Sequence, residues 1–233
     1  QIDFIILHLL IPAAGSGSRM KAGKNKLLIN LNGESILYWT LKSVFLSKKV
    51  SWVGIIGQPH DRTEIMNSIK EFSDKITWIN GGNTRQESVS NGVNNLPNNA
   101  MKVLIHDGAR CLIKPEFIDK CFTELEENDA VILAVKVTDT IKVVNENRII
   151  KETPDRNFLW AAQTPQGFSV TQLKKAHQKA KENSWNVTDD ASLFERLQWP
   201  VKIIEGNSTN IKITSPIDLK IASLFLGNSS GIN

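Results

Sequence analysis

Continuous apolar runs rich in Leu, Ile and Val recur along the chain, and most are followed by a segment whose apolar residues have helical spacing. These runs occupy residues 5–11, 52–57, 76–79, 101–106 and 130–137. Unbroken apolar runs are typical of parallel strands that are buried on both faces of a sheet. The alternation therefore predicts an α/β fold with a mostly parallel, doubly wound sheet, in which ligands bind at the carboxyl ends of the strands.

Capping residues mark the starts of helices between these strands. Asp61 and Thr84 are expected to cap the helices that they begin, and Pro115 suits the first turn of another helix. The predicted helices cover residues 34–46, 61–71, 84–93, 115–127, 169–182, 189–197 and 215–226, and a further strand covers residues 201–205. We expect residues 227–233 to form a loose tail.

The succession of strands and helices is interrupted at residues 138–159. Two β-rich stretches, residues 140–144 and 148–153, flank Asn145-Glu146-Asn147 and predict a hairpin. Because a two-stranded ribbon alone is only marginally stable, we expect this arm to pack against another surface, with arm exchange in a homodimer. The whole chain, residues 1–233, is predicted to form one domain.

Composition limits the classes of function that the chain can have. No apolar run approaches the roughly 20 residues that a transmembrane helix needs, so we predict no membrane partner. The net charge is +4, but the 28 basic residues are spread along the chain among 24 acidic ones. That distribution favours an anionic small substrate over nucleic acid as the partner.

The two cysteines, Cys111 and Cys121, have the spacing of neither a zinc site nor a redox pair. They are expected to be packing residues in a reducing compartment, and a cytoplasmic location is predicted. Because the chain begins with Gln1, removal of a signal or transit peptide stays open, and the plastid stroma is then the alternative location.

A glycine-containing segment follows the first strand, where residues 8–26 read HLLIPAAGSGSRMKAGKNK. A dinucleotide-binding fingerprint needs a third glycine where Met20 stands, and a Walker A loop needs Ser or Thr in place of Asn25. A third hypothesis is a nucleotidyltransferase loop, in which backbone N–H groups reach the nucleotide while Arg19 and Lys26 hold a triphosphate. From this segment alone, a glycine turn with solvated lysines stays open as well.

Five short blocks of sequence extend this hypothesis along the chain. They are IPAAGSGSRM at residues 11–20 with Lys26 six residues later, HDGAR at 106–110, TPDRNFLWAAQTPQGF at 153–168, TDDA at 188–191 and EGNSTNIKIT at 205–214. Together the blocks resemble the 2-C-methyl-D-erythritol 4-phosphate cytidylyltransferase family over residues 7–224.

This resemblance implies a Rossmann-like nucleotidyltransferase sheet and a β-hairpin arm that embraces the mate in a homodimer. It also implies an enzyme that transfers CMP from CTP to methylerythritol phosphate, releasing pyrophosphate with Mg²⁺ as cofactor, in the non-mevalonate route to isoprenoids. Two alternatives stay open, namely a ribitol 5-phosphate cytidylyltransferase and a non-catalytic nucleotide-binding homologue. The ribitol 5-phosphate enzyme would share the loop and much of the fold, whereas loss of the charged loop residues, which are present here, would favour the non-catalytic homologue.

The resemblance assigns roles to residues of this sequence. It implies catalytic roles, through charge neutralisation, for Arg19, Lys26 and Lys212. The residues implied to bind the nucleotide are Pro12, Ala13, Ala14, Gly15, Gly82, Asn83, Arg85 and Ser88, of which the last four read cytosine within GGNTRQES at residues 81–88. Those implied to bind the sugar-alcohol phosphate are Asp107, Arg110, Thr140, Arg156 and Thr164, and Asp107 is also the candidate Mg²⁺ ligand.

Each assignment has a structural alternative when its segment is considered alone. The two glycines at residues 81–82 also suit a turn before a helix, and Asp107 suits a turn after a strand. Arg156 could form a surface ion pair, and Lys212 could protect an edge strand from aggregation. We expect His106 to be structural, because this chemistry needs no imidazole base.

Two departures from the family pattern bear on these assignments. The family often has an acidic residue where Asn83 stands, which weakens the case for its role. It also often has Pro-Lys-Gln where this chain has Asn25-Lys26-Leu27. Pro and Gln shape that turn but carry no charge, so the assignment of Lys26 is unchanged.

Overall fold

The computed structural model describes residues 7–15 and 25–228 of the 233-residue chain. Its strands, labelled in chain order, are β1 (Leu7–Pro12), β2 (Asn30–Leu31), β3 (Glu34–Ser35), β4 (Val50–Gly57), β5 (Ile76–Asn80), β6 (Lys102–Ile105), β7 (Ala130–Lys136), β8 (Val143–Val144), β9 (Ile150–Glu152), β10 (Trp160–Ser169) and β11 (Lys202–Glu205). Among these, seven form one sheet with the spatial order β11-β7-β10-β6-β1-β4-β5.

The pairing in this sheet is mostly parallel, as the unbroken apolar runs predict. Strand β1 lies parallel to β4 and β6, β4 lies parallel to β5, and β11 lies parallel to β7. Only β10, among the described strands of the sheet, is antiparallel to its neighbours, β6 and β7. The prediction of a Rossmann-like α/β sheet is therefore confirmed.

Helices cover both faces of the sheet. They are α1 (Ile36–Phe45), α2 (Arg62–Ser68), α3 (Arg85–Asn94), α4 (Pro115–Glu124), α5 (Val170–Glu182), α6 (Ala191–Arg196) and α7 (Pro216–Asn228). Helices α1, α2, α4 and α7 pack on one face, and α3, α5 and α6 pack on the other. Consecutive strand residues serve opposite faces, since Leu9 lies in the first core and Leu10 in the second.

The predicted helix caps had different outcomes. Thr84 caps α3, because its hydroxyl accepts a hydrogen bond from the backbone N–H of Glu87 at 3.0 Å. The prediction for Asp61 was wrong, since its side chain makes no capping bond to α2. It accepts instead from the side-chain amide of Asn25 at 3.0 Å. Helix α2 also ends at Ser68, before the predicted end at residue 71, and a 3-10 helix follows at Lys70–Lys75.

Strand β10 was not predicted from the sequence, although it lies in the middle of the sheet. Its register with β7 shifts between Ala162 and Gln166, around Pro165. Because proline has no N–H to donate, it is tolerated in a strand at such an irregularity. The irregular pairing removes the regular apolar pattern by which a central strand is recognised in a sequence.

The hairpin predicted within residues 138–159 is present as the antiparallel pair β8 and β9, although both strands are shorter than predicted. The backbone N–H of Asn145 donates to the carbonyl of Ile149 at 3.0 Å, which closes the turn. The arm leaves large apolar side chains in solvent, with Ile149 63%, Ile150 58% and Phe158 82% exposed. A surface of this kind is typical of a contact with another molecule.

Helix α7 runs to Asn228 and so includes the start of the predicted tail, while residues 229–233 lie outside the described residues. Cys111 and Cys121 are buried and unpaired, as predicted, and burial raises the pKa of the Cys111 thiol to about 12. No helix in the described ranges is long and apolar enough to cross a membrane.

Candidate active site

A cavity of about 580 Å³ opens where β1, β4, β5 and β6 end. The described residues that line it are Pro12, Ala13, Ala14, Gly15, Asn25, Lys26, Leu27, Gln58, His60, Asp61, Gly82, Asn83, Thr84, Arg85, Ser88, Asp107, Gly108, Ala109 and Lys212. They include all eight predicted nucleotide-binding residues together with Lys26, Asp107 and Lys212. Strand topology therefore brings these separate sequence blocks into one cavity.

A larger groove of about 860 Å³ lies between α3 and α5. It is lined by exposed polar side chains such as Gln178 and Lys181, and none of the predicted site residues is among them. We therefore place the candidate active site in the smaller cavity.

The first wall of the cavity comes from the end of β1 and the turn that carries Lys26. The backbone N–H of Ala13 donates to the carbonyl of Ile56 at 2.7 Å, which ties the end of β1 to β4. The Lys26 ammonium donates to the carbonyl of Ile213 at 3.2 Å. This places the cation beside the segment that carries Lys212. Arg19, the other predicted phosphate-binding residue of this loop, lies outside the described residues.

The glycine pair after β5 forms the second wall. A Cβ atom on Gly82 would lie 2.5 Å from the Cβ of Glu87, so only glycine fits at this close approach. The N–H of Gly82 donates to the Ser88 hydroxyl at 3.0 Å, and the N–H of Asn83 donates to the Glu87 carboxylate at 2.7 Å. These two backbone donors, in the segment that the resemblance implies to read cytosine, are thus engaged within the segment.

Arg85 reaches the cavity from the first turn of α3 and pairs with a fully buried carboxylate. Its guanidinium lies 2.8 Å from Asp190, whose other oxygen lies 3.4 Å from Nε2 of His177. Burial disfavours the charged form of Asp190 and would raise its pKa. The effects of His177 and Arg85 are together larger, so the pKa of Asp190 is lowered. Asp190 and Asp107 likewise raise the pKa of Arg85 against the effect of its burial. Arg85 is therefore a fixed cation at the cavity wall.

Asp107 follows β6 and pairs with Lys212 at the cavity floor. The Lys212 ammonium lies 2.8 Å from the carboxylate, and Nε of Arg110 lies 3.7 Å from the same oxygen. Burial alone would raise the pKa of Asp107, but Lys212, Arg85 and Arg110 lower it below its ordinary value. Asp107 is thus ionised at neutral pH. Lys212 lies in an irregular segment, which excludes the edge-strand alternative.

Arg110 and Thr164 lie behind the cavity and support Asp107. The backbone N–H of Asp107 donates to the Thr164 hydroxyl at 2.9 Å, and that hydroxyl also lies 2.9 Å from Nδ1 of His106. His106 is fully buried, and burial lowers its pKa to about 4, so the ring is neutral at physiological pH. These contacts agree with the structural role expected for His106.

Thr140 and Arg156 lie on the arm, and neither lines the cavity of their own chain. The Arg156 guanidinium donates to the carbonyl of Thr138 at 2.8 Å, which keeps it on the exposed arm. The structure thus brings together the predicted residues of the loop, the glycine pair and the Lys212 segment. It separates the two arm residues from them.

Four residues with clear roles in the site were missed or misread from the sequence. Asn25 and Asp61 bond to each other at the cavity wall. Asp190 lies within the predicted helix at residues 189–197, and it is an ion-pair partner of Arg85. The buried Asn210 donates from its side-chain amide to the carbonyl of Thr164 and accepts from Arg110 through its backbone carbonyl. Each of the four bonds to a partner that is distant in the sequence. Asn25 alone among them also had a local signal, because it directly precedes the predicted Lys26.

A mostly parallel α/β sheet, with a cavity at its carboxyl edge that is lined by cations and two carboxylates, Asp61 and Asp107, is typical of Rossmann-like nucleotidyltransferases. The model of the family 2-C-methyl-D-erythritol 4-phosphate cytidylyltransferase matches residues 7–228. The chain therefore belongs to this family, whose members are cytidylyltransferases.

Individual relatives agree with this assignment. The 2-C-methyl-D-erythritol 4-phosphate cytidylyltransferase of Prochlorococcus marinus is 70% identical over 220 residues, covering 94% of this chain and 99% of the relative. The 4-diphosphocytidyl-2C-methyl-D-erythritol synthase of Anaerococcus prevotii has a solved structure with a TM-score of 0.87 at 30% identity, covering 97% and 98% of the two chains. The Francisella tularensis 2-C-methyl-D-erythritol 4-phosphate cytidylyltransferase gives a TM-score of 0.80 at 32% identity, covering 94% and 99%.

Proposed function

We propose that this chain transfers CMP from CTP to 2-C-methyl-D-erythritol 4-phosphate, releases pyrophosphate and so serves isoprenoid biosynthesis. One observation carries the proposal for this particular cavity. Lys26, Arg85 and Lys212, from three separate segments, line it together with two carboxylates, the ionised Asp107 and Asp61. A cavity with this excess of positive charge suits a triphosphate and a second phosphate at once.

The reaction joins two phosphates and needs little covalent chemistry from the protein. An oxygen of the methylerythritol phosphate attacks the α-phosphorus of CTP, and the bond to the β-phosphate oxygen breaks, so that pyrophosphate leaves with the electron pair. Negative charge grows on the oxygens around the α-phosphorus and on the leaving group. Cations already held in place stabilise that charge, which lowers the barrier.

Lys26 and Lys212 are the proposed catalytic cations in the described part of the site, and we propose Arg19 as a third. The contact of Lys212 with Asp107 at 2.8 Å holds its ammonium at the cavity floor. Because an ammonium has three donors, Lys212 can keep this contact and still donate to a phosphate oxygen. The attacking phosphate is anionic at neutral pH, so no general base is needed, in agreement with the neutral, buried His106.

The Asp107 carboxylate also suits Mg²⁺ bound mainly through the substrate. No group of three or more His, Cys, Asp or Glu side chains that could hold a metal exists within the described residues. Mg²⁺ often needs only one or two carboxylates, because phosphates and water complete its coordination. Asp107 is ionised and lines the cavity, so we propose it as the single protein ligand. When bound, Mg²⁺ would neutralise charge on the phosphates of CTP.

We further propose that two copies of the chain exchange arms. Thr140 and Arg156 would then bind the phosphate of methylerythritol phosphate in the other copy's cavity. Two observations support this arrangement. The arm exposes Ile149, Ile150 and Phe158 strongly, and Arg156 is exposed on the same arm rather than at its own cavity. A guanidinium fork suits phosphate, because it can form two parallel hydrogen bonds.

Cytosine recognition is proposed for Gly82, Asn83, Arg85 and Ser88. All four residues line the cavity, at the end of β5 and the start of α3. Because the N–H groups of Gly82 and Asn83 are bonded within the segment, the remaining donors of Arg85 and the carbonyl groups of the turn are the proposed contacts to the base.

Pyrophosphate release from purified protein tests the proposed function. Four nucleoside triphosphates are each combined with methylerythritol phosphate and with ribitol 5-phosphate in the presence of Mg²⁺. We expect release only with CTP and methylerythritol phosphate. Faster release with ribitol 5-phosphate would assign the alternative sugar alcohol, and release with another triphosphate would refute the cytosine assignment. An inactive protein that still binds CTP would indicate the non-catalytic homologue.

A further inference from the structure

Asn25 stands immediately before Lys26 and is buried, with 5% of its surface exposed. All of its side-chain polar atoms are engaged. The amide nitrogen donates to the carbonyl of Ala13 at 2.7 Å and to the Asp61 carboxylate at 3.0 Å. The amide oxygen accepts from the backbone N–H of Leu27 at 3.1 Å. One side chain thus joins the end of β1, the start of α2 and the turn that carries Lys26.

The backbone of Asn25 has a matching role. Asn25 is the N-cap of the 3-10 helix Lys26–Leu28, and its carbonyl accepts from the N–H of Leu28 at 3.0 Å. The backbone around Lys26 is therefore fixed by hydrogen bonds on both sides, those of Asn25 before it and those of the Leu27 and Leu28 N–H groups after it. Its long side chain then needs only to extend to Ile213, where the ammonium donates to the backbone carbonyl.

We infer that Asn25 and Asp61 are positioning residues for Lys26. Asn25 fixes the turn, and Asp61 fixes the Asn25 amide in the orientation that also reaches Ala13. The inference rests on the proposed function, because the position of Lys26 matters to catalysis only if its ammonium contacts the phosphates of CTP. Neither residue needs to touch the substrate for this role.

A double-mutant cycle tests whether Asn25 acts through Lys26. The proteins are wild type, Asn25→Ala, Lys26→Ala and the double variant, each measured by pyrophosphate release with CTP and methylerythritol phosphate. We expect Asn25→Ala to lower kcat/KM for CTP about tenfold in the presence of Lys26 and less than about twofold in its absence. Equal factors in the two backgrounds would overturn the inference. Inactivity of the wild type would refute the proposed function instead.

Asp61 supplies a milder and better matched pair of variants. Asp61→Asn and Asp61→Ala both remove the negative charge, but only Asn retains an oxygen that can accept from the Asn25 amide. We expect a loss in kcat/KM for CTP of about tenfold for Ala and only about twofold for Asn, with the KM for methylerythritol phosphate changed by less than about twofold in both. Equal losses in the two variants would show that charge alone matters and would overturn the role of the hydrogen bond.

Two control variants separate positioning from general destabilisation. Asp119 joins the end of α1 to α4 by accepting from the Ser47 hydroxyl, and Asn128 donates to the carbonyl of Glu124 at 2.8 Å. Neither residue lines the cavity. Asp119→Ala and Asn128→Ala therefore remove comparable bonds elsewhere, and we expect them to lower the melting temperature without changing kcat/KM. A loss of kcat/KM in these controls equal to that of Asn25→Ala would overturn the inference.

Discussion

At the scale of single residues, Asp190 shows how one buried carboxylate fixes a cation at a binding surface. The side chain is inaccessible to solvent, and its oxygens face Arg85 and His177. An isolated buried charge would be very costly, so the carboxylate is stable only because the Arg85 guanidinium and the His177 ring are close. The bond to Asp190 consequently restricts the conformation of the long Arg85 side chain, while its remaining donors face the cavity.

We predict that Asp190→Asn impairs CTP binding more than catalytic turnover. Without the carboxylate, the guanidinium of Arg85 is no longer fixed at the cavity wall, and we expect the KM for CTP to rise about tenfold while kcat changes less than about threefold. Steady-state kinetics with varied CTP provide the measurement. An unchanged KM, or a kcat that falls as far as kcat/KM, would contradict this role.

The same substitution is expected to change how stability depends on pH. The folded-state pKa of Asp190 is lowered, so in the range below about pH 4 the unfolded chain binds more protons than the folded one. Its contribution to stability is therefore complete above that range and is lost as the pH falls through the folded-state pKa. We expect the melting temperature of Asp190→Asn to fall less steeply between pH 5 and pH 3, although Asp107 and Asp218 retain part of the dependence.

Residue roles could be predicted from the sequence where the partner is close along the chain. Thr84 bonds to a group three residues away, and the small, polar and acidic neighbours that make a helix cap are visible locally. Asp61 has the same local signal, yet its side chain does not cap α2. It accepts instead from the amide of Asn25, which is 36 residues away. Asp190 binds Arg85 across 105 residues. Such pairs are fixed by the fold, so the local sequence does not reveal them.

At the scale of secondary-structure elements, β10 shows where strand prediction by apolar pattern reaches its limit. The strands β1 and β7 are recognisable because their apolar runs are unbroken and buried. In β10 the sequence WAAQTPQGFS contains proline, glycine and two glutamines, although its second half is buried. The fold compensates by a register shift at Pro165 and by close packing at Gly167.

We predict that Gly167→Val destabilises the protein through this close packing. Even a Cβ atom at residue 167 would lie 2.6 Å from Leu104, 2.8 Å from Leu125 and 3.0 Å from Val131. Overpacking of this kind typically costs about 1–3 kcal/mol of unfolding free energy, which is measured by urea denaturation. A Cβ atom on Gly227 has nothing within 4 Å, so Gly227→Ala is the matched control, expected to leave stability unchanged or slightly raised.

At the scale of the whole molecule, the sheet assembles most of the site within one chain but leaves the arm outside it. The carboxyl ends of four strands bring together sequence blocks from Pro12 to Lys212, and this outcome followed from the topology that the strand pattern predicted. The place of Arg156 could not be derived in the same way. The arm exposes Ile149, Ile150 and Phe158 to solvent, so the topology of its own chain does not fix where Arg156 acts.

Mixing two variants of low activity gives the last prediction, because the mixture tests whether the two copies share each site. Lys26→Ala lacks a cation of its own cavity, and Arg156→Ala lacks the cation that we propose to enter the other copy's cavity. In a mixed dimer with exchanged arms, one cavity carries both defects and the other carries neither. When equal amounts are unfolded and refolded together, half of the dimers are mixed, so we expect about a quarter of the wild-type rate of pyrophosphate release. Mixtures that stay as slow as the separate variants would show that Arg156 serves its own chain, since every cavity would then keep one defect.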